Sequence, residues 1–160
     1  MRERTVRWDD PMITAKAGRD RSGLDTLQAI ADGELPAPPI AATLGFDLVS
    51  VEPGRVVFSF EPAEFQYNPI GSVHGGVYAT LLDSAAGCAV HSRLPAGVGY
   101  TSLDLAVKYL GTVTIATGTV TCVGTVTHLG KRTALAEARL TGPDDRLLAT
   151  ATSSCLLLRP

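Results

Sequence analysis

The sequence predicts an α+β fold in which a curved antiparallel sheet wraps one long central helix, with a short helix ahead of it. Three observations carry this reading. Strand-like runs and one long helical run follow one another in the order β-β-α-β-β-β-β. The helical run, Val77 to Ser92, carries Val77, Ala79, Leu81, Leu82, Ala85, Ala86, Ala89 and Val90 on nearly every side, and a helix apolar all round is a buried one. In the run after it, Leu103, Leu105, Val107 and Tyr109 alternate with Ser102, Asp104, Ala106 and Lys108, the period-two pattern of a sheet with one covered face.

The elements follow from local chemistry. Residues 1–20 are polar and mixed in charge. Ser22 to Asp32 reads as a short helix, with Ser22 as cap, Asp25 three positions on, and Leu24, Leu27 and Ile30 on one face. Gly33 stops it, and Pro36, Pro38 and Pro39 force an extended connection. Leu44 to Val51 and Arg55 to Glu61 read as strands joined by Pro53-Gly54. Residues 62–75 are a loop rich in Pro and Gly. Four further strands are expected near 99–110, 112–126, 131–141 and 146–158, the last two joined at Gly142-Pro143-Asp144-Asp145. The chain of 160 residues divides into an extension over residues 1–40 and one domain over 41–160.

Composition narrows the function classes. A formal net charge of −2 gives no basic surplus for nucleic acid or an anionic membrane. Residues 1–10 have no apolar core of a signal peptide, and the run Val77 to Val90 is interrupted by Asp83 and is too short to span a bilayer. A cytoplasmic protein is expected. Cys88, Cys122 and Cys155 are odd in number, far apart and set in apolar stretches, which predicts free buried thiols. No His, Cys or carboxylate pair has metal-ligand spacing, and neither a Gly-rich nucleotide loop nor a G-x-S-x-G elbow occurs. No metal and no cofactor are expected.

The informative stretch is Asn68 to Gly87. Asp83 falls mid-helix among apolar neighbours, where Asp is a poor helix former and an unpartnered buried charge is costly; a functional carboxylate is the better reading than a stray surface one. His74-Gly75-Gly76 opens the helix. The first amides of a helix lack internal partners and carry partial positive charge, and glycine permits close approach, so the amide near Gly75 suits a carbonyl oxygen. Gly75 and Asp83 lie eight residues apart, roughly 12 Å along a helix axis. One carbonyl cannot sit between both on the same helix, but two helices antiparallel across a two-fold axis would pair them twice. A homo-oligomer is expected, with a dimer as its smallest unit and a tetramer favoured.

Asn68, His74-Gly75-Gly76, Asp83 and Gly87, in the pattern N-x5-HGG-x6-D-x3-G, resemble the phenylacetyl-CoA thioesterase-like branch of the hotdog-fold superfamily, with the likeness covering about residues 41–158. The resemblance implies the hotdog fold and hydrolysis of an aryl- or fatty acyl-CoA thioester to the free acid and CoA. It assigns Asp83 as general base or nucleophile and the Gly75 amide to the thioester carbonyl. Asn68 and His74 then help to fix substrate or water, and Ser102 positions the attacking water near Asp83. Gly76 belongs to the same helix start. It also implies CoA contacts in His128-Leu129-Gly130-Lys131-Arg132-Thr133, where Gly130 exposes backbone and Lys131 and Arg132 supply charge for phosphates. The chain departs from the common pattern at Leu110-Gly111-Thr112, where a proline is frequent. His91, at the end of the helix, reads as a cation suited to the helix dipole.

Two other readings stay open on the residues alone. A hotdog acyl-CoA dehydratase or hydratase pairs a His with a carboxylate, as His74 and Asp83 could. A non-catalytic acyl-CoA-binding protein would keep the basic rim but have no need of Asp83.

Overall fold

In a computed structural model that describes residues 1–159, α1 (Pro11–Ala17), α2 (Gly23–Ala31) and α3 (Pro39–Leu44) precede β1 (Phe46–Glu52) and β2 (Arg55–Phe60). Then come α4 (Gly75–His91), β3 (Gly99–Ser102), β4 (Ala106–Tyr109), β5 (Val120–Leu129), β6 (Thr133–Thr141) and β7 (Leu147–Leu158). The strands form one antiparallel sheet in the order β1-β2-β5-β6-β7-β3, with β4 also paired to β7. The sheet curves around α4, the hotdog arrangement.

The core lies between α4 and the concave face. Leu81, Leu82, Ala85, Ala86, Ala89 and Val90 are fully buried against Val56, Val120, Cys122, Ala138 and Leu140. Helix and sheet approach so closely that a Cβ on Gly124 of β5 would come within 2.0 Å of the Ala85 carbonyl oxygen. Burial of Leu- and Val-sized side chains at about 1.5–3 kcal/mol each makes this seam the main source of stability.

Several expectations are corrected. Residues 11–17 are helical, because the Asp10 side chain accepts from the Met12 amide and Pro11 occupies the first turn, where its missing N–H costs nothing. The proline run does not stay extended: Pro39 starts α3 and Gly45, at φ 73°, ends it. Ala41 of α3, like Leu27 of α2, belongs to the core. Residues 112–119 are not strand; a short 3₁₀ turn, Ile115–Thr117, precedes β5. The Ser22 cap is present, with its hydroxyl accepting from the Asp25 amide and donating to the Asp25 carboxylate.

The single strand expected over 99–110 is broken. Ser102 pairs with Cys155 and Ala106 with Thr152, so four steps on one side match three on the other. The extra residue is a bulge at Leu103–Leu105. It is pinned by the Ser153 hydroxyl donating to the Asp104 carbonyl and the Ser154 amide donating to the Asp104 carboxylate. A bulge inverts side-chain parity, and that inversion builds the site.

Candidate active site on the exposed stripe of the central helix

The central helix is not buried on all sides. Its bulky residues face the sheet, and a stripe of small or polar ones does not: Gly76 and Asp83 are exposed, and Thr80, Ser84 and His91 are half-buried. Asp83 thus stands at the surface of the protomer, which corrects the expectation of a carboxylate enclosed by apolar neighbours. Its neighbours one turn away are Ala79, Thr80, Ala86 and Gly87, too small to cover it.

β3 and β4 lie along one side of this stripe. The Ser102 hydroxyl donates to Asp83 Oδ1 at 3.0 Å. Two residues earlier, Tyr100 packs on Gly87, where a Cβ would come within 2.7 Å of its phenol oxygen, and stacks against His91 with ring centroids 5.6 Å apart. Beyond the bulge, the Tyr109 hydroxyl donates to the Gly75 carbonyl at 3.1 Å. Tyr100 and Ser102 are even-numbered and Tyr109 is odd; without the bulge they could not face the same helix. The sequence reading missed both tyrosines as site neighbours. The signal available was Gly87, a helix-interior glycine with no turn to make.

The helix start is built by its cap. His74 Nδ1 accepts from the Gly76 amide at 2.8 Å, and the His74 carbonyl accepts from Val77. Because Nδ1 is an acceptor, the neutral imidazole carries its proton on Nε2. The Gly75 amide is then the first-turn donor with no protein partner among the described residues. The Asn68 side chain is turned into its own loop: Oδ1 accepts from the Ile70 and Ser72 amides and Nδ2 donates to the Ser72 hydroxyl. Asn68 and His74 therefore shape the approach to α4 through the backbone.

The basic segment sits at the β5–β6 turn. His128, Lys131, Arg132 and Thr133 are exposed, and the Gly130 amide donates to the Thr133 carbonyl. Neither Lys131 nor Arg132 joins an ion pair among the described residues. A row of paired residues crosses the sheet from Ser102 through Cys155 and Ala134 to Leu129. Two strand spacings separate Ser102 from Ala134, about 10 Å, so the basic turn lies at the same end of the sheet as Asp83.

Three titratable groups near the stripe are held neutral. Burial pushes the Cys88 thiol up to about 12, with the Asp83 charge adding to it. Burial likewise raises the Tyr100 phenol well above its ordinary range, with smaller contributions from Cys88, Cys155 and Asp83. Burial lowers His91, whose Nδ1 is enclosed without a hydrogen-bond partner. A neutral His91 corrects the reading of that residue as a dipole-capping cation. Cys122 and Cys155 are buried free thiols as expected, while Cys88 is half-buried. Among the described residues no cluster of three or more His, Cys, Asp or Glu could hold a metal ion, and no helix is long and apolar enough to cross a membrane.

Comparison with known proteins places this geometry in context. The model of a family described as the thioesterase superfamily matches residues 70–149, which span the helix cap, Asp83, Ser102 and the basic turn. The 1,4-dihydroxy-2-naphthoyl-CoA hydrolase of Listeria monocytogenes serotype 1/2a (strain 10403S) is 30% identical over 106 residues, 66% of this chain and 85% of its own length. A phenylacetic acid degradation-related protein of Ralstonia eutropha JMP134 superposes with a TM-score of 0.73 at 26% identity, over 81% of this chain and 98% of its own. The E. coli PaaI protein from the phenylacetic acid degradation operon shares the fold, with a TM-score of 0.71 at 22% identity over 91% of this chain and 96% of its own.

Proposed function

From the premise that the chain belongs to the thioesterase superfamily and is a thioester hydrolase, we propose that it hydrolyses aryl- or fatty acyl-CoA at a site shared between two copies of α4. The single observation that carries the site is the Ser102–Asp83 hydrogen bond on the exposed helix stripe. A carboxylate held there has one oxygen oriented by a hydroxyl and the other free to take a proton from water or to attack a carbonyl carbon.

The unpaired Gly75 amide is the electrophilic half of the site. It lies eight residues and roughly 12 Å from Asp83 along one helix, so the thioester carbonyl meets Gly75 of one copy and Asp83 of another. As the carbonyl carbon becomes tetrahedral, negative charge builds on its oxygen, and an amide at the positive end of a helix dipole stabilises it. Collapse of the intermediate expels the CoA thiolate, which takes up a proton; where Asp83 has activated water this leaves the free acid, and where Asp83 itself has attacked it leaves a mixed anhydride that a water then hydrolyses to the free acid and the Asp83 carboxylate. Lys131 and Arg132, with Gly130, Thr133 and His128, hold the CoA phosphates at the rim. Asn68, His74 and Gly76 keep the Gly75 amide aimed outward.

Assembly into a dimer or tetramer is supported by the free edge of the sheet. Leu103, Tyr109 and Leu110 along β3 and β4 are more than half exposed, and an apolar open edge is a pairing surface. Three thiols without a disulfide favour the cytoplasm. We read residues 41–160 as the catalytic body and 1–40 as an extension packed on it. The test is release of free thiol from a panel of aryl- and fatty acyl-CoAs. Thiol release with Asp83-dependent rates supports the reading; binding without release, or hydration of an enoyl-CoA, would replace it.

A further inference from the structure

Gln66 is a buried polar residue, only 3% exposed, that takes no part in the chemistry at Asp83. Its carboxamide bridges two segments: Nε2 donates to the Leu44 carbonyl at 2.6 Å, and Oε1 accepts from the Ala63 amide at 2.8 Å. Its backbone carbonyl accepts from the His74 amide at 2.8 Å. Gln66 therefore ties the C-terminal end of α3 to the N-cap of α4. A buried amide group is costly to leave unpaired, so these partners hold the side chain in one place.

The path continues outward to the N-terminal segment. The last carbonyls of a helix have no partner within it. In α3 the Gly45 amide donates to Ala41, Arg4 donates through both terminal nitrogens to Ala42 and Thr43 at 2.6 Å each, and Gln66 takes Leu44. The Arg4 guanidinium also lies 3.8 Å over the Phe65 ring, and Arg2 pairs with Glu64. A cationic fork suits a helix C-terminus and an aromatic face at once. Arg2 and Arg4 thus grip the turn that carries Gln66.

Inward, the path ends at the Gly75 amide, which belongs to the same peptide unit as the His74 carbonyl. That carbonyl accepts from Val77, the His74 amide donates to Gln66, and the His74 imidazole accepts from Gly76. With its amide, carbonyl and Nδ1 all engaged, the placement of His74 sets the direction of the Gly75 N–H.

We propose that Gln66 is a positioning residue for the Gly75 amide, and that Arg4 of the N-terminal segment holds Gln66 in register. The inference rests on the reading of that amide as the group that polarises the thioester carbonyl. Charge on the carbonyl oxygen develops in the transition state, so a misdirected amide lowers kcat and leaves substrate binding nearly intact.

Gln66→Met keeps the length of the side chain and removes both carboxamide bonds; Arg4→Ala removes the outer grip. A displacement of about 1 Å can cost as much as about 10²-fold in rate, and kcat is expected to fall about 10-fold in Gln66→Met and less in Arg4→Ala, with KM within about 2-fold in both. Arg4→Lys, charged but without the fork, should fall between Arg4→Ala and the unsubstituted protein. Hydrogen exchange of the intact protein reads the path without turnover. The His74 and Gly76 amides should exchange faster in both variants, while residues 81–90 keep their protection. If Gln66→Met does not fold, Arg4→Ala, an exposed position, alone decides. Unchanged kcat, unchanged exchange at His74 and Gly76, or protection lost throughout α4 would overturn the proposal. Faster exchange at His74 and Gly76, in a protein that hydrolyses no CoA ester, would uphold the path and sink the catalytic reading of Gly75 instead.

Discussion

Ser102 and Asp83, nineteen positions apart in the chain, are joined by a 3.0 Å hydrogen bond from hydroxyl to carboxylate. The bond fixes one carboxylate oxygen of a side chain that is exposed on α4. Asp83→Asn preserves shape and packing but removes the proton acceptor. Its kcat is expected to fall at least about 10²-fold, the lower end of what a general base contributes, with substrate binding retained. Ser102→Ala should cost less, and the double variant should be no worse than Asp83→Asn alone, because the serine acts through the carboxylate. Near-normal turnover in Asp83→Asn would reject the assignment. Single-turnover hydrolysis in ¹⁸O-water bears on the two roles: label in the Asp83 carboxylate favours an anhydride intermediate, and label only in the product acid favours direct water attack.

Replacing Lys131 and Arg132 together with Ala should raise KM for CoA esters far more than it lowers kcat, since phosphate contacts remote from the carbonyl are made equally in ground and transition states. The salt dependence of kcat/KM should flatten with the loss of two exposed charges. An unchanged KM would reduce the pair to a solvated turn.

How much of this was legible beforehand depended on the range of the signal. The hydrophobic run of α4, the Ser22 cap and the Gly142–Asp145 turn are local and could be read directly. The motif from Asn68 to Gly87 exposed the carboxylate and the helix start for the same reason. The bulge at Leu103–Leu105 could not be read, because a strict alternation over 102–109 fits the composition equally well and only the pairing with β7 shows the extra residue. Asp83 looked buried because a helical run apolar on most sides masks a narrow stripe of Thr, Ser and Gly. α3 was hidden by prolines that read as an extended link until Pro39 is placed in a first turn.

His91 gives a pH dependence of known sign. Burial holds its imidazole below the ordinary histidine value of 6.5, with Tyr100 stacked on it. In the window between the lowered folded value and 6.5, the unfolded chain binds a proton that the folded chain refuses. Stability therefore rises with pH across that window, is complete above it, and is lost as pH falls below the unfolded value. Thermal unfolding followed through that window should show a shallower slope for His91→Gln than for the unsubstituted protein. Identical slopes would mean that His91 titrates alike in both states.

The shared site makes a demand on mixtures of defective subunits. Asp83→Asn destroys the carboxylate half of a site and keeps the Gly75 amide. Gly75→Val does the reverse: a Cβ there already meets the Tyr109 ring at 3.2 Å, so the larger side chain displaces the helix start and blocks the amide. Each variant alone should be nearly inactive. If every site takes Gly75 from one copy and Asp83 from the other, a mixed dimer has one site with both defects and one with neither. Random exchange makes half of the dimers mixed, so about a quarter of the full complement of sites should return. Co-refolding the two variants at equal concentration and measuring thiol release checks this. No recovery, in a mixture shown by tagging to contain mixed dimers, would place Gly75 and Asp83 in the service of separate sites. A sedimenting monomer that turns over at micromolar concentration would remove the shared site altogether.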